Sequence, residues 1–238
     1  MTDPKPDYAA LIGERYPSFQ PDALARFHAH PEFFALFERF IAQNESNNAG
    51  DIARLWALML NVKHILAQNI PGDFAELGVW KGNTASVLAH YAAASGRKVF
   101  LFDTFQGFDR GDLVERDAAH NPDMFNDTSV DLVKEVIGET ARACDFVAGR
   151  FPDSIPEACR DRTYAVVSVD CDLYEPMKAG LDFFYPRLSH GGALFLHDYS
   201  SGHWPGATQA IDEFCVATGE FAVLIPDKSG SAFVRKSK

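Results

Sequence analysis

The chain has 238 residues, of which 47% are apolar, and this is enough for one α/β domain with a sizeable core. Its formal net charge of −11 argues against a non-specific nucleic-acid binder and against a protein held on an anionic membrane surface. No apolar run approaches a bilayer span, no signal-peptide core opens the sequence, and the four cysteines lack metal-site spacing, so we expect a cytoplasmic protein with reduced thiols.

Residues 1–68 predict a polar arm and helices that precede the main domain, which we place at residues 69–238. One helix is predicted to start at Pro21, and two more cover residues 31–43 and 51–68. The helix over 31–43 carries a wide apolar stripe. This stripe predicts packing against the core and leaves two alternatives, a wall of the substrate pocket or a homodimer contact. It consists of Phe33, Phe34, Phe37, Phe40 and Ile41.

Residues 73–84, with the sequence DFAELGVWKGNT, predict the first strand, a glycine turn and the start of a helix. The apolar run contains Glu76 and breaks at Gly78 and Gly82, and an alanine-rich helix follows over residues 83–94. This order is typical of the first βα unit of a doubly wound sheet. Such a turn lets a ligand approach the backbone and presents helix N–H groups to it, although two glycines alone also fit a purely structural turn.

The second predicted strand, residues 98–102, is followed directly by Asp103. An acid at this position of a doubly wound fold commonly accepts hydrogen bonds from ribose hydroxyls, although an exposed surface aspartate is the simpler alternative. Together with Glu76, Asp103 suggests a ligand that carries a cationic amine and a ribose. The charged segment 109–127 has no clear period, and it predicts a loop or short helix that forms a mobile cover near this ligand.

The rest of the chain continues the alternation of strands and helices. Its predicted strands cover residues 144–148, 164–169 and 193–196, its helices 129–140, 177–185 and 207–214, and its turn 189–192. The tail alternates enough for two closing strands, over 221–225 and 231–235. The strand over 164–169 is almost entirely apolar, as expected for a strand covered on both faces. The sequence therefore predicts an α/β, doubly wound, Rossmann-like sheet with an N-terminal helical extension.

Acidic residues and a histidine follow the fourth and fifth predicted strands. Asp170 and Asp172 follow one of them, and His197 and Asp198 follow the other. Ligands of open α/β sheets bind at the edge where the carboxyl ends of such strands meet. Asp170, His197 and Asp198 are suitable ligands for one divalent ion, which would offset the repulsion between the carboxylates. Without a metal, raised pKa values would relieve this repulsion, and one carboxyl could act as a general base.

Several segments together are similar to the macrocin O-methyltransferase family, which includes the mycinamicin, macrocin and novobiocin sugar O-methyltransferases. They are ELGVWKGNTA, LFDTFQGF, GRFPDSIP, WPGATQAIDEF and the most specific one, VDCDLYEPMKAGLDFFYPRLSHGGALFLHDY. The resemblance runs roughly from residue 69 to residue 214. It implies a class I fold that uses S-adenosylmethionine and transfers a methyl group, with assistance from Mg²⁺, to a sugar hydroxyl of a small molecule.

The resemblance also implies which residues bind the cofactor. Glu76, Gly78 and the turn up to Thr84 would hold its methionine end, Asp103 would hold its ribose, and residues 149–151 would lie beside its adenine. The implied cofactor contacts are Glu76, Gly78, Val79, Trp80, Gly82, Asn83, Thr84, Asp103, Thr104, Phe105, Gly149, Arg150, Phe151 and Asp170.

The implied catalytic residues are Asp172, Asp170 and His197, where Asp172 matches the acid proposed in the family as general base. The implied metal ligands are Asp170, His197 and Asp198. Sugar methyltransferases of this family usually have Asp-Asp-Tyr where this chain has His197, Asp198 and Tyr199. Histidine removes a charge and suits softer ions than Mg²⁺, so the predicted metal is Mg²⁺ or a softer ion. His197 could instead be a base or a substrate contact.

Two other classes of function stay open at this point. An NAD-binding oxidoreductase would use the same first turn and Asp103, but the full GxGxxG motif is missing. A non-catalytic cofactor-binding protein would explain His197 as a sign of decay, but the retention of three acids at the strand ends opposes this. In the enzyme, the acceptor pocket is expected between the N-terminal helices, segment 109–127 and the loop 200–206.

Overall fold

The computed structural model describes Ala10 and residues 30–237, and a seven-stranded sheet lies at the centre of this part of the chain. Its strands are β1 (Asp73–Leu77), β2 (Val99–Asp103), β3 (Cys144–Ala148), β4 (Tyr164–Val169), β5 (Leu188–Leu196), β6 (Val223–Leu224) and β7 (Ala232–Arg235). Their order across the sheet is β3-β2-β1-β4-β5-β7-β6. The first five pair in parallel, and β7 runs antiparallel to both β5 and β6. The predicted doubly wound sheet is therefore present.

Helices precede and connect these strands. Within the described residues they are α1 (Phe33–Ile41), α2 (Glu45–Asn48), α3 (Ile52–Ala67), α4 (Asn83–Ser95), α5 (Val130–Ile137), α6 (Glu157–Arg160), α7 (Tyr174–Arg187) and α8 (Pro205–Thr218), with 3₁₀ turns at Arg110–Asp112, Glu115–Asp117 and Gly138–Ala143. The helix predicted from Pro21 lies outside the described residues. Among those that are described, no helix combines the length and the apolar character needed to cross a bilayer.

Two apolar cores cover the two faces of the sheet, because the side chains of its buried strands alternate between them. Val166 of β4 packs into the core formed with α1, α3 and α4. Its neighbour Val167 packs into the core formed with α7 and α8. All six residues of β4 are buried, as its apolar sequence predicts.

The phenylalanine stripe of α1 belongs to the first of these cores. Phe33, Phe37 and Phe40 have no exposed surface, and they share a cluster with Phe74 of β1. Truncating one such ring to alanine is expected to cost about 3–5 kcal/mol of stability. The stripe thus packs against the sheet of its own chain, the first of the three possibilities raised by its sequence. The homodimer stays a prediction.

Two predicted boundaries are wrong for identifiable reasons. The predicted turn 189–192 lies inside β5, because the strand passes through an irregular register opposite β4 that Gly191, at a φ of 77°, can adopt. Helix α7 begins at Tyr174, three residues before its predicted start at 177. Pro176 does not prevent this, since backbone N–H groups in the first turn of a helix have no partner within the helix.

Candidate active site

One cleft opens at the carboxyl ends of β1, β2, β4 and β5, where the sequence placed the ligand. Most of the predicted cofactor residues line it: Glu76, Gly78, Val79, Trp80, Asn83, Thr84, Asp103, Thr104, Gly149, Phe151 and Asp170. Gly82, Phe105 and Arg150 are not among its lining residues. The predicted catalytic and metal residues Asp172, His197 and Asp198 share the same cleft.

The glycine turn after β1 is shaped by close contact with the end of β4. Gly78 has a φ of 83°, and a Cβ atom at this position would overlap the carbonyl oxygen of Asp170. Gly82, with a φ of 81°, directly precedes α4. Only glycine meets both requirements at position 78, the conformation and the space. Neighbouring strand ends are therefore brought together by backbone packing before any ligand is considered.

Asp103 has a structural role that the sequence did not reveal. Its Oδ2 accepts hydrogen bonds from the backbone N–H groups of Val79 at 2.6 Å and Trp80 at 2.8 Å. Its Oδ1 accepts one from the backbone N–H of Phe105 at 2.7 Å. The Thr104 hydroxyl also lies 3.4 Å from Oδ1, but its single proton has a closer acceptor in the carbonyl of Gly107 at 2.5 Å. Since a carboxylate offers about four lone-pair positions, one position can still accept from a ribose hydroxyl. Asp103 thus fixes the glycine turn and can still contact a ligand.

Glu76 is a buried acid without a partner for one of its oxygens. Its side chain is 1% exposed, and within the described part of the chain no hydrogen-bond partner reaches Oε2. Burial, and then the nearby Asp170, raise the pKa of Glu76 well above its ordinary value. A cationic amine in the cleft would satisfy the free oxygen and favour the ionised carboxylate. This is the group that the sequence predicted for the ligand.

His197 lies between two carboxylates. Its Nδ1 is 2.8 Å from Oδ1 of Asp170 and also contacts Oδ2 of Asp198. One ligand atom from each of the three residues lies within 4.8 Å of the others, so the structure brings the predicted metal ligands together. Burial lowers the pKa of His197, but the two carboxylates outweigh it and raise the pKa to about 10. Burial disfavours the ionised form of Asp170 as well, but His197 and then Arg54 lower its pKa.

Asp172, the predicted general base, is a buried residue of the same cleft. It has a φ of 63°, a left-handed conformation that aspartate tolerates better than most side chains. Burial, followed by repulsion from Asp170 and Asp198, raises its pKa well above the ordinary value. A raised pKa makes the ionised carboxylate a stronger base, and this suits proton removal from a hydroxyl.

Arg54 of α3 is a functional residue that the sequence did not reveal. Its Nη1 contacts Nε2 of His197 and lies 3.8 Å from Oδ2 of Asp170. Asp51 holds its Nε at 3.2 Å, and Asn48 accepts a hydrogen bond from its Nη2 at 2.9 Å. The sequence held one indication of a role for Arg54, which is that it stands among apolar residues in the predicted helix 51–68.

The outer wall of the cleft is aromatic. We call residues 108–127 the cover. Its side chains Phe108 and Phe125 pack edge to face, with 5.4 Å between their ring centroids. Phe108 also packs on Trp204 at 5.8 Å, and Phe125 on Trp80 at 5.3 Å. The lining also includes three asparagines, at positions 44, 47 and 48. The three regions predicted to bound the acceptor pocket all contribute to these walls.

The cover is anchored at several points. Asp117 is fully buried and accepts a hydrogen bond from the backbone N–H of Tyr174 at 2.7 Å. The guanidinium of Arg150 binds Asp112 at 2.6 Å and Asp153 at 2.8 Å. Arg150 was predicted to lie beside the adenine. Its charged group ties the cover to the loop that follows β3, and its position beside the adenine stays a prediction.

Residues 49–226 match the family model described as Macrocin-O-methyltransferase (TylF). The chain belongs to this family. It is 31% identical over 177 residues to demethyldecarbamoylnovobiocin O-methyltransferase of Streptomyces niveus, with 68% of this chain and 65% of that protein covered. It is 32% identical over 175 residues to mycinamicin III 3''-O-methyltransferase of Micromonospora griseorubida, with 68% and 67% covered. The matches thus span only about two thirds of the length of these relatives.

Solved structures agree with this assignment. The structure of the O-methyltransferase NovP superimposes with a TM-score of 0.67 at 27% identity, covering 79% of this chain and 81% of that one. The calicheamicin methyltransferase CalS11 superimposes with a TM-score of 0.61 at 21% identity, covering 86% and 93%, and shows likeness of fold alone. The predicted fold class and family are confirmed. The comparisons give no support to the NAD-dependent alternative.

Proposed function

We propose that this protein is an S-adenosylmethionine-dependent O-methyltransferase whose acceptor is a sugar hydroxyl of a small natural product. Membership of the macrocin O-methyltransferase family and the names of its curated relatives support the reaction class. The observation that carries the proposal is one cleft with two chemically distinct sides. One side has a buried, unpartnered carboxyl at Glu76, and the other has acids and a histidine at the ends of β4 and β5.

The residues of the first side fit the methyl donor. Glu76 would pair with its amine, Asp103 would accept from a ribose hydroxyl, and Gly149 and Phe151 would lie beside its adenine. When bound, S-adenosylmethionine supplies a methyl group on a positively charged sulfur, ready for in-line transfer to an oxygen nucleophile. The chain's own task is to hold the acceptor oxygen in line, and positioning of this kind is worth about 7–11 kcal/mol in well-oriented systems.

Asp172 is proposed to take the proton from the acceptor hydroxyl. General-base assistance of this kind contributes on the order of 10²- to 10⁴-fold in rate. Asp170 and His197 would orient the hydroxyl, because both border the cleft beside Asp172. The aromatic residues and the polar side chains that line the cleft suit a sugar, which has an apolar ring face and hydroxyls at its rim.

The divalent ion implied by the family fits these residues poorly. A metal bound among Asp170, His197 and Asp198 needs the lone pair of Nδ1, since this is the ring nitrogen that faces both carboxylates. The other ring nitrogen would then carry the proton and point it at the Arg54 guanidinium. Two donors would face each other, so no step of the proposed reaction is assigned to a metal.

Transfer of labelled methyl groups tests the proposal. The donor is S-adenosylmethionine with a labelled methyl, and the acceptors are glycosylated natural products with a free sugar hydroxyl, each paired with its aglycone. We expect label in glycosides and none in aglycones, and a loss of label with Asp172→Asn. Label in the aglycones alone would contradict the sugar assignment. The homodimer and the cytoplasmic location stay predictions.

A further inference from the structure

Arg54 is held in place on every side except the one that faces the site. Asp51 pairs with its Nε and Asn48 with its Nη2, and its guanidinium lies over the ring of Phe40 at 4.9 Å. The side chain is only 13% exposed. A guanidinium is fixed most firmly by such multiple contacts, because its donors have a planar, rigid arrangement. Nη1 is thereby directed at Nε2 of His197.

This contact determines where the imidazole carries hydrogen. Arg54 can only donate, so in a neutral ring Nε2 accepts from it and the ring proton resides on Nδ1. In a charged ring, which the two carboxylates favour, both nitrogens carry protons and the Nε2–H faces the Arg54 donor. Nδ1 therefore bears hydrogen in either state, and it donates to Asp170 and Asp198. The form that could ligate a metal, with the proton on Nε2 alone, has the same pair of facing donors and also lacks the hydrogen between the two carboxylates, so this site disfavours it most.

Positive charge is also already present at this site. The repulsion between Asp170 and Asp198 is the physical reason to expect a cation there. The N–H of His197 lies between the two carboxylates, and the permanent charge of Arg54 lies 3.8 Å from Asp170. Family members with aspartate at position 197 would lack this bridging donor. The histidine and the arginine together meet the need that a divalent ion would otherwise meet.

We propose that Arg54 and His197 take the place of the divalent cation in this chain, with Arg54 as a positioning residue that keeps His197 a donor to Asp170 and Asp198. The inference rests on the proposed methyltransferase function, because it concerns the acceptor side of that site. It assigns the N-terminal helices a specific task. They complete the catalytic cluster through Arg54, held by Asp51 and Asn48, whereas the phenylalanine stripe packs the core and contributes only the contact between Phe40 and the Arg54 guanidinium.

Metal binding, measured without any acceptor, tests the inference. The full-length protein is titrated with Mn²⁺, and the free ion is followed by electron paramagnetic resonance. We expect no stoichiometric site in the wild type. His197→Asp supplies a third carboxylate and should create one site per chain. Arg54→Met removes the opposing donor while keeping a similar length, and it should raise Mn²⁺ affinity by roughly 10- to 100-fold, the size typical of outer-shell effects on metal sites.

Two controls keep the outcomes separate. Asp170→Asn, added to either variant, should abolish the gained site, because it removes a ligand. S-adenosylhomocysteine binding, measured by calorimetry on every sample, reports folding and the donor side. If the wild type does not bind S-adenosylhomocysteine, the proposed function is refuted, and the Mn²⁺ titration then tests only the inference about the metal. One tight Mn²⁺ site in the wild type that disappears with Asp170→Asn would overturn the inference, even if Arg54→Met does not fold.

Discussion

The two sides of the cleft are built in different ways. The donor side consists of Glu76, Asp103 and the glycine turn between them, and the three backbone hydrogen bonds that Asp103 accepts join residues at most 24 positions apart. The acceptor side joins Asp170 and His197 to Arg54, which lies 143 positions before His197. Most of the donor side is thus formed within one βα unit and the next strand, with the end of β4 packed against Gly78. The acceptor side exists only when the N-terminal helices have packed on the sheet.

Because the two sides are built differently, substitutions in them should have different effects. A change at the donor side alters the turn that every cofactor-binding member of such a fold needs. A change at the acceptor side alters contacts between distant segments and leaves the turn intact. We therefore expect substitutions on the two sides to separate cofactor binding from methyl transfer, and the following predictions are ordered from the largest expected effect to the smallest.

Asp172→Asn should affect methyl transfer far more than cofactor binding. The amide keeps the size of the side chain but cannot accept the hydroxyl proton, so the rate should fall by on the order of 10²- to 10⁴-fold. Single-turnover transfer and S-adenosylhomocysteine calorimetry on the same variant measure the two effects. A rate close to that of the wild type would remove Asp172 from the reaction.

Asp103→Ala should produce the reverse pattern. It removes a charged acceptor for ribose and leaves the N–H groups of Val79, Trp80 and Phe105 without their partner, so cofactor binding should weaken by about 1.5–3 kcal/mol. The melting temperature of the ligand-free protein should also fall. Asp145→Ala, at a half-exposed acid on the neighbouring strand, is the matched control and should change neither quantity. Unchanged affinity in Asp103→Ala would contradict the assignment of the donor side.

Glu76→Gln should stabilise the ligand-free protein and weaken its ligand binding. The pKa of Glu76 is raised in the fold, so its contribution is fully favourable below the ordinary value of 4.5 and is lost as the pH rises through the raised value. At pH 8 the glutamine variant should therefore be more stable than the wild type, and this difference should shrink as the pH falls. Thermal melts from pH 5 to pH 8 measure this. Identical melting curves of the two proteins at every pH would show that burial does not raise the pKa of Glu76 in the folded protein.

The same contrast explains what the sequence could predict. Buried parallel strands are short apolar runs, and their ends are marked by Glu76, Asp103, Asp170 and His197, so the fold and the acids of the site followed from the order of residues. The periodicity of α1 revealed a buried face, but it did not reveal which surface that face packs against. Core packing could be decided only from the structure.

Other features depend on geometry that a linear pattern does not contain. The second role of Asp103 requires the N–H groups of Val79 and Trp80 to converge on it, which depends on backbone angles in the turn. Arg54 reaches the site because α3 packs across the sheet from a distant part of the chain. The ion pair between Arg150 and Asp112 of the cover likewise joins segments that are far apart in the sequence, and no linear pattern indicated it.

Calorimetric titration with S-adenosylhomocysteine and with NAD⁺, both in excess EDTA, tests the central claim most directly. We predict one S-adenosylhomocysteine site per chain with micromolar affinity, no heat with NAD⁺, and affinity that is preserved in Asp172→Asn and Arg54→Met. Binding of NAD⁺ in place of S-adenosylhomocysteine, or binding of S-adenosylhomocysteine that is lost with Arg54→Met in a folded protein, would contradict the account of a cleft with two independent sides.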